Sequence, residues 1–293
     1  MIVVFGSINL DIIFRLPHIP APGETVLTPT VSIAPGGKGA NQALAAAYDG
    51  ASVVMAGAVG GDALATDALV LLRGANVDLT RVARTVTTTG TAAIFVDAGG
   101  QNAIGVGSGA NLMARADQVE DGILFPTTTL LLQMEVSAPE TVALIHRARA
   151  RGARIILNLA PAAPLPRDAL EMLDLLVVNE GEAAYLATEL DCGATASDLH
   201  VALGIGVVRT MGGAGCEYAG LEGTLRLPAH PVTVHDTTAA GDCFTGVLAA
   251  ALDRGAPLSA GLQRASVAAA LCCTRLGTQP SLPRRAEIDA ALA

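Results

Sequence analysis

The chain has 293 residues, of which 51% are apolar and only 15% are charged, and its formal net charge is −9. This composition supplies a large hydrophobic core and excludes a disordered chain, and the length suits one large α/β domain. The acidic net charge argues against binding to nucleic acid or to an anionic membrane, because neither attracts an acidic protein.

We expect neither a membrane span nor a secretion signal in this sequence. The longest stretch without charge, residues 98–114, contains five glycines, so no segment predicts a transmembrane helix. No basic residues precede the first apolar run, so we expect no signal peptide. An odd number of cysteines without a C-x-x-C pair is typical of reduced cytoplasmic thiols, and they are Cys192, Cys216, Cys243, Cys272 and Cys273.

Two short strands are predicted at the N-terminus, separated by a glycine. Ile2 to Phe5 is apolar throughout, and apolar residues then alternate at positions 8, 10, 12 and 14. Asn9 and Asp11 therefore share the opposite face of the second strand. A solvent-facing strand edge would explain this pair, and so would a polar ligand that meets it.

Further along the chain, short apolar segments alternate with helical patterns. A β-like stretch covers 25–33, and an alanine-rich helix runs from Gly37 to about Tyr48. The sequence then predicts strands near 52–56, 130–134, 154–159, 175–178 and 206–210, and helices over 139–151, 180–187 and 197–203. This alternation predicts an α/β fold with a doubly wound, mainly parallel central sheet that is flanked by helices.

Two segments depart from this alternation, at roughly 8–34 and 89–107. Both are typical of antiparallel strands, the second with a turn at residues 98–101, and we expect them to form a small antiparallel β lid. From Ala240 onward the chain is predicted to be helical, with breaks at 255–257 and 277–283. Neither repeats nor linkers are visible, so we expect a single domain over residues 1–293.

The segment DTTAAGD at residues 236–242 is the most informative for chemistry. It places small residues and a glycine at the predicted start of a helix, where free backbone N–H groups favour an anion. An aspartate there, Asp242, could take a proton from a hydroxyl that lies beside a phosphate, as phosphoryl transfer requires. The alternative is that Asp242 is a plain helix N-cap.

A second glycine-rich segment, APGGKGANQ, occupies residues 34–42. Lys38 is followed by Gly39 and not by Ser or Thr, and no strand is predicted to lead directly into the segment, so we reject a P-loop. The glycines would let a polyhydroxylated ligand approach the backbone, and Lys38 and Asn41 offer donors near the helix start.

Two further segments follow predicted strands, where α/β sheets bind ligands. Asn179 and Glu182 have the spacing of a capping box, and the same pair could orient a hydrated Mg²⁺ near phosphates. The glycine-rich run at residues 210–215 could lie under a nucleotide or form a hairpin turn. It is not G-x-G-x-x-G, so a dinucleotide site is disfavoured.

Taken together, these segments resemble the ribokinase-like carbohydrate kinases, the PfkB family, and within it the ribokinases. The resemblance extends over nearly the whole chain, through the motifs at residues 6–11, 22–25, 36–42, 179–182, 236–242 and 274–281. It implies the ribokinase fold and the transfer of the γ-phosphoryl group of ATP to the 5-hydroxyl of D-ribose.

The resemblance also implies roles for individual residues. The general base would be Asp242, and the anion hole would be formed by the backbone of Ala239, Ala240, Gly241 and Asp242. The sugar would be held by Asn9, Asp11, Gly37, Lys38, Gly39, Asn41, Glu135 and Asp242. The nucleotide would contact Asn179, Thr210, Gly212, Gly213, Gly215, Gly241 and Ser266, with Glu182 helping to place Mg²⁺ and phosphates. A K⁺ ion would be held, mostly through backbone carbonyls, by Asp236, Thr238, Cys272, Arg275, Gly277 and Ser281.

Three positions depart from the family pattern. Ala239 stands where much of the wider family has glycine, Leu159 stands where ribokinases usually have proline, and Ser266 stands where histidine or asparagine often lies near the adenine. The family also implies that the lid closes over the sugar and pairs with the lid of a second subunit, which would give a homodimer.

Three alternative functions remain at this level. The nearest is a sibling kinase for deoxyribose, another sugar or a nucleoside, although the lysine-containing run at residues 36–42 favours ribose. A catalytically silent sugar-binding regulator is disfavoured because Asp242 and the predicted anion hole are retained. A dinucleotide oxidoreductase is disfavoured because the first strand ends in a lone Gly6.

Overall fold

Strands and helices alternate along most of the chain in the computed structural model, which describes residues 1–99 and 101–293. The strands are β1 (Ile2–Phe5), β2 (Asn9–Arg15), β3 (Val31–Gly36), β4 (Val53–Gly60), β5 (Asp78–Thr85), β6 (Gly90–Val96), β7 (Asn102–Gly107), β8 (Thr129–Leu132), β9 (Arg154–Asn158), β10 (Leu175–Asn179), β11 (Gly206–Thr210), β12 (Cys216–Gly220) and β13 (Gly223–Leu227). The helices are α1 (Lys38–Tyr48), α2 (Leu64–Ala68), α3 (Val70–Gly74), α4 (Ala138–Ala150), α5 (Arg167–Glu171), α6 (Glu180–Leu190), α7 (Ala196–Leu203), α8 (Ala240–Asp253), α9 (Leu258–Cys272) and α10 (Arg285–Leu292).

Nine strands form a central sheet in the order β13-β12-β11-β10-β9-β8-β1-β4-β5. All neighbours from β11 to β5 are parallel, and β12 and β13 extend the sheet as an antiparallel edge. Because β1 is buried on both sides, Ile2 and Val4 pack into one apolar cluster, and Val3 and Phe5 pack into a second. Helices α1, α8 and α9 cover the first cluster and α4, α6 and α7 the second, which confirms the doubly wound α/β prediction.

A second, four-stranded sheet has the order β3-β2-β6-β7, and we call it the lid. The pairs β2-β3 and β6-β7 are antiparallel, as predicted for the two segments. The strands at the centre, β2 and β6, are parallel, and the sequence did not predict this pairing. Of the predicted turn at residues 98–101, Gly100 lies outside the described residues.

The predicted strands and helices of the central fold are present, and their ends differ from the prediction by four residues at most. One boundary is wrong. The β-like stretch expected over 25–33 is a strand only from Val31, and this strand continues to Gly36. It therefore leads directly into α1, contrary to the expectation that no strand does so. The case against a P-loop now rests on Gly39, which stands where that motif needs Ser or Thr.

The fold brings several element ends to one edge of the central sheet. The carboxyl ends of β9, β10 and β11 meet the N-terminal ends of α1, α6 and α8 around one cavity. Polar residues that are distant in sequence therefore converge where α/β sheets bind their ligands. Within the two described ranges, no helix combines the length and apolar character needed to cross a membrane.

Candidate active site

Asp242 is buried in the first turn of α8, with 6% of its surface exposed. Its Oδ2 accepts a hydrogen bond from Asn41 Nδ2 at 2.9 Å, and its Oδ1 accepts one from Gln42 Nε2 at 2.9 Å. The N-cap of α8 is Ala239, and Asp242 is the third residue of the helix. The plain N-cap interpretation of Asp242 is therefore wrong, since both carboxylate oxygens face side chains of α1.

The backbone at the start of α8 turns sharply. Ala239 has a φ of 61° and a ψ of 4°, a left-handed conformation that strains a residue with a side chain. The N–H of Ala240 donates to the carbonyl of Thr237 at 3.2 Å, and Cys243 N–H closes the first helical bond on Ala239. The N–H groups of Gly241 and Asp242 belong to the first turn, which has no preceding helical carbonyls to pair with. This is the position of the predicted anion hole.

A cavity of about 220 Å³ opens on this turn. Its walls bring together most of the residues that the sequence assigned to catalysis and phosphate binding, and they include Lys38, Asn158, Asn179, Glu182, Thr210, Thr237, Ala239, Gly241 and Asp242. The negative charge of Asp242 raises the pKa of Lys38 more than burial lowers it, so Lys38 keeps its positive charge. An ammonium group and a helix N-terminus in one cavity suit an anionic phosphate chain.

Asn179 and Glu182 form a capping box at the start of α6. Asn179 Oδ1 accepts from the Glu182 N–H at 2.8 Å, and Glu182 Oε2 accepts from the Asn179 N–H at 2.8 Å. Both side chains also line the cavity, so the capping role and a role near phosphates are compatible. Burial raises the pKa of Glu182.

These residues fit a hydrated Mg²⁺ that is carried on phosphates. Glu182 is a carboxylate on the cavity wall, and the described residues contain no group of three or more His, Cys, Asp or Glu that could hold a metal ion. Mg²⁺ commonly keeps several waters and binds one or two carboxylates together with substrate phosphates, so a site of this kind needs no protein cage.

A second cavity, of about 460 Å³, adjoins the first and shares Thr210, Thr237 and Gly241 with it. The other predicted nucleotide residues lie on its wall, namely Gly212, Gly213, Gly215 and Ser266. Strands β11 and β12 pair antiparallel with Thr210 opposite Cys216, so residues 210–215 form the hairpin turn as well as a wall of the cavity. Many of the other walls are apolar, which suits a flat aromatic base.

The predicted sugar residues lie where the lid meets the central sheet. Asn9 and Asp11 are 2% and 4% exposed, so the solvent-facing interpretation of this strand face is wrong. Burial, and then the charge of Glu135, raise the pKa of Asp11 to about 7, and the charges of Asp242 and Lys38 also act on it. Asp11, Glu135, Lys38 and Asp242 are therefore close enough to influence one another electrostatically.

Glu135 connects the sugar residues to α1. Its Oε2 accepts from the backbone N–H of Lys38 at 3.0 Å and from Ser7 Oγ at 2.6 Å. A Cβ at Gly37 would lie 2.7 Å from the backbone N of Asn9, and one at Gly39 would lie 2.6 Å from the backbone N of Ser7. These two glycines are therefore needed to pack α1 against the protein's own backbone, whatever they also offer a ligand.

The sequence analysis missed three polar residues at the same place. Asn111 Nδ2 donates to Asn9 Oδ1 at 2.6 Å. The hydroxyl of Thr278 donates to the carbonyl of Pro35 at 2.8 Å, and Thr278 lowers the pKa of Asp11. Ser7 holds Glu135. Ser7 and Thr278 lie within motifs that carried the family resemblance, which was a usable signal. Nothing near Asn111 in the sequence marked it.

Five of the six predicted cation residues are brought together behind the anion hole. Asp236 accepts hydrogen bonds at Oδ1 from the N–H and hydroxyl of Thr238, at 2.9 and 2.5 Å, and at Oδ2 from Gly277 N–H at 2.9 Å. Cys272 Sγ lies 3.0 Å from Ser281 Oγ and 3.7 Å from the carbonyl oxygen of Thr238. The side chain of the sixth, Arg275, pairs with Glu287, so only its backbone is free to serve a cation.

The chemistry of this donor set fits a monovalent cation. Burial raises the pKa of Asp236, but hydrogen bonds from Gly277 and Thr238 lower it by more, so the carboxylate is ionised. One carboxylate, a hydroxyl and backbone carbonyls are the oxygen ligands that K⁺ takes in proteins.

The comparisons with known proteins agree with this geometry. The family model described as pfkB family carbohydrate kinase matches residues 1–285. The chain belongs to the PfkB family. It is therefore an ATP-dependent carbohydrate kinase, and the oxidoreductase and silent-regulator alternatives do not agree with this membership.

Individual members of the PfkB family match almost the full chain. A ribokinase from Bacillus subtilis is 35% identical over 99% of both chains. A bifunctional ribokinase/ribose-5-phosphate isomerase A from Fructilactobacillus sanfranciscensis is also 35% identical, and the chain spans 55% of its length and 98% of its own. A deoxyribokinase from Salmonella typhi is 32% identical over 96% of this chain and 95% of the relative. The structure of Arabidopsis thaliana ribokinase with ribose and ATP superposes with a TM-score of 0.89, at 29% identity over 99% and 98% of the two chains.

Proposed function

We propose that this PfkB-family kinase transfers the γ-phosphoryl group of ATP to the 5-hydroxyl of D-ribose and releases D-ribose 5-phosphate and ADP. The observation that carries the proposal is the buried carboxylate of Asp242, held between α1 and α8 and facing the cavity that Lys38 also lines. Ribokinases with 35% identity over nearly the whole chain support ribose as the acceptor.

In this reaction Asp242 takes the proton of the 5-hydroxyl as that oxygen attacks the γ-phosphorus. The bond between the γ-phosphorus and its bridging oxygen breaks, and ADP leaves. Negative charge on the transferring group is stabilised by the ammonium of Lys38 and by the N–H groups of the first turn of α8, which are in place before the reaction begins.

The two substrates enter from different sides of Asp242. Five side chains bind the hydroxyls of the sugar, and the charged acceptors among them, Asp11 and Glu135, give strong hydrogen bonds. The five are Asn9, Asp11, Lys38, Asn41 and Glu135. The adjoining cavity of about 460 Å³, with Ser266 and the 210–215 turn on its wall, takes the base and ribose of ATP.

Two ions complete the proposal. Glu182, with Asn179, would orient the hydrated Mg²⁺ that shields phosphate charge. K⁺ would be held by Asp236, Thr238 and Ser281 together with the backbone of Cys272, Arg275 and Gly277. It would supply positive charge behind the turn that starts α8.

A direct test compares Asp242→Asn with Asp117→Asn, an exposed aspartate outside the site. We expect Asp242→Asn to fold and bind ribose but to lose about 10²–10⁴-fold in kcat, the usual contribution of general-base catalysis. Asp117→Asn should retain wild-type turnover. ADP release and ³¹P NMR of the product measure both. Near wild-type turnover of Asp242→Asn would remove this residue from its proposed role.

Deoxyribose is the second candidate acceptor, because a deoxyribokinase matches the chain at 32% identity. The two sugars differ only at the 2-position, so a comparison of kcat/KM for ribose and 2-deoxyribose separates them. We expect ribose to be preferred, and a higher value for 2-deoxyribose would reassign the substrate. The same assay with fructose and adenosine tests the other acceptors.

We also propose that two chains pair through their lids in the cytoplasm. On the face of the lid that is turned away from Asp11, Val31 and Ile33 are 50% and 63% exposed. The rings of Phe14 and Phe95 lie on the same face, 5.4 Å apart. Exposed apolar patches of this kind mark interfaces, so Ile33→Asp should convert a dimer to a monomer in sedimentation experiments. The five free cysteines suit a reducing compartment.

A further inference from the structure

Gln42 contacts the proposed base directly, although neither the sequence motifs nor the family resemblance gave it a role. It is fully buried in α1, next to Asn41. Its Nε2 donates to Asp242 Oδ1 at 2.9 Å and to Asn158 Oδ1 at 3.0 Å. Its Oε1 accepts from Gln133 Nε2 at 2.7 Å. The amide therefore has a partner on each of its polar atoms, and one of these partners is the reacting carboxylate.

The two other partners anchor this amide to the central sheet. Asn158 is the last residue of β9, and its Nδ2 donates to the carbonyl of Val177 on β10 at 3.1 Å. Gln133 directly follows β8 and is fully buried. A Cβ at Gly6 would lie only 2.0 Å from Gln133 Oε1, so the glycine at the end of β1 leaves room for this side chain. Gln42 is thus fixed from two neighbouring strands, β8 and β9, and β10 in turn holds Asn158.

Such an arrangement suits the task of a general base. The carboxylate must present a free lone pair to the acceptor hydroxyl, and donors on its oxygens hold it in one orientation. It must also be aimed, because a displacement of about 1 Å at the reacting atoms can lower a rate about 100-fold. Asn41 holds one oxygen of Asp242 and Gln42 holds the other, so the plane of the carboxylate is fixed.

We propose that Gln42 is a positioning residue for catalysis: anchored by Gln133 and Asn158, its amide holds the carboxylate of Asp242 oriented toward the acceptor hydroxyl. This inference rests on the proposed function, in which Asp242 is the general base. It assigns to Gln42 no contact with either substrate. Its loss should therefore lower kcat and leave the KM values of ribose and ATP within about threefold.

Two variants test the inference. Gln42→Leu removes the donor, and we expect kcat to fall about 10–100-fold while the KM values of ribose and ATP stay within about threefold. Gln42→Glu keeps the length of the side chain and the acceptor for Gln133, but places a second carboxylate beside Asp242. Two carboxylates so close repel each other, so kcat should fall at least as far as in Gln42→Leu. This variant also covers the case in which leucine prevents folding.

The matched control is Gln118→Leu, which deletes an amide that donates to the carbonyls of Gly57 and Arg81, both at 2.7 Å, and that lines neither cavity. We expect it to lower the melting temperature, because two hydrogen bonds are lost, while kcat stays within about threefold. Thermal melts and ribose binding establish that each variant is folded.

The outcomes separate the two proposals. If Asp242→Asn is inactive and folded Gln42 variants keep the wild-type kcat, the role of Gln42 is refuted and the proposed function stands. Equal losses of kcat in Gln42→Leu and Gln118→Leu would make Gln42 a purely structural residue. If Asp242→Asn is itself active, the proposed role of Asp242 is refuted, and the role of Gln42 that depends on it is refuted as well.

Discussion

Asp11 allows a prediction in which stability and substrate binding change in opposite directions. Its carboxyl is only 4% exposed. Burial and the neighbouring charges of Glu135 and Asp242 raise its pKa from 3.8 to about 7, against a hydrogen bond from Thr278 and the charge of Lys38. Each pKa unit corresponds to about 1.36 kcal/mol, so the ionised carboxylate destabilises the ligand-free fold by about 4 kcal/mol above pH 7.

The pH dependence follows from where the proton is bound. Between pH 3.8 and about 7 the folded chain holds a proton on Asp11 that the unfolded chain has released. The free energy of unfolding therefore decreases as pH rises through this window, and it levels off above it. Asparagine has no such proton. Asp11→Asn should accordingly be more stable than the wild type by about 2 kcal/mol at pH 5.5 and by about 4 kcal/mol at pH 8.

Urea unfolding of both proteins without ligand, at pH 5.5 and pH 8, measures this difference. Asp62→Asn is the control of opposite sign, because hydrogen bonds from Thr89 lower the pKa of Asp62. Isothermal titration with ribose should show weaker binding by Asp11→Asn, since a charged acceptor is lost. A stability difference that is equal at the two pH values, or a variant that is less stable at pH 8, would refute the electrostatic argument.

Three other substitutions test other parts of the molecule. Ala239 has a φ of 61°; Ala239→Gly should therefore raise the melting temperature by about 1–2 °C in calorimetry, whereas Ala240→Gly, in the helix proper, should lower it. Asp236→Asn should remove the rate enhancement by K⁺ while leaving turnover in tetramethylammonium unchanged, and equal K⁺ activation in both proteins would contradict the cation site. Asp49 is fully buried against two guanidinium groups; Asp49→Ala should lower the free energy of unfolding by about 3–5 kcal/mol in urea, with kcat within about twofold, and a loss below 1 kcal/mol would contradict this burial.

Local patterns were sufficient for most of the central fold. Ile2–Phe5 and Leu175–Asn179 are strands within one residue of the predicted bounds, because a parallel strand buried on both faces is a nearly unbroken apolar run. Asp78–Thr85 was not predicted, since this edge strand alternates half-buried and charged residues that also suit a loop. The parallel pairing of Asn9–Arg15 with Gly90–Val96 joins segments about 80 residues apart, which no local pattern records.

The candidate site was predictable where residues share a motif, and not where they meet across the fold. The alternation around Asn9 and Asp11 gave their common face, but their burial depends on the packing of the lid. Gln42 lay inside a quoted motif, yet its contacts with Asp242 and Gln133 are 200 and 91 residues away in sequence. Such contacts are set by the order of strands in the sheet, which periodicity alone does not give.

The continuity of β3 with α1 has a mechanical consequence. Only Gly37 lies between the last lid residue, Gly36, and the helix whose first turns carry Lys38, Asn41 and Gln42. A rotation of the lid about its base would therefore exert torque on that helix. We expect the lid to close over the sugar and Asp242 to become aligned in the same step. Water cannot close the lid, so it should rarely accept the phosphoryl group.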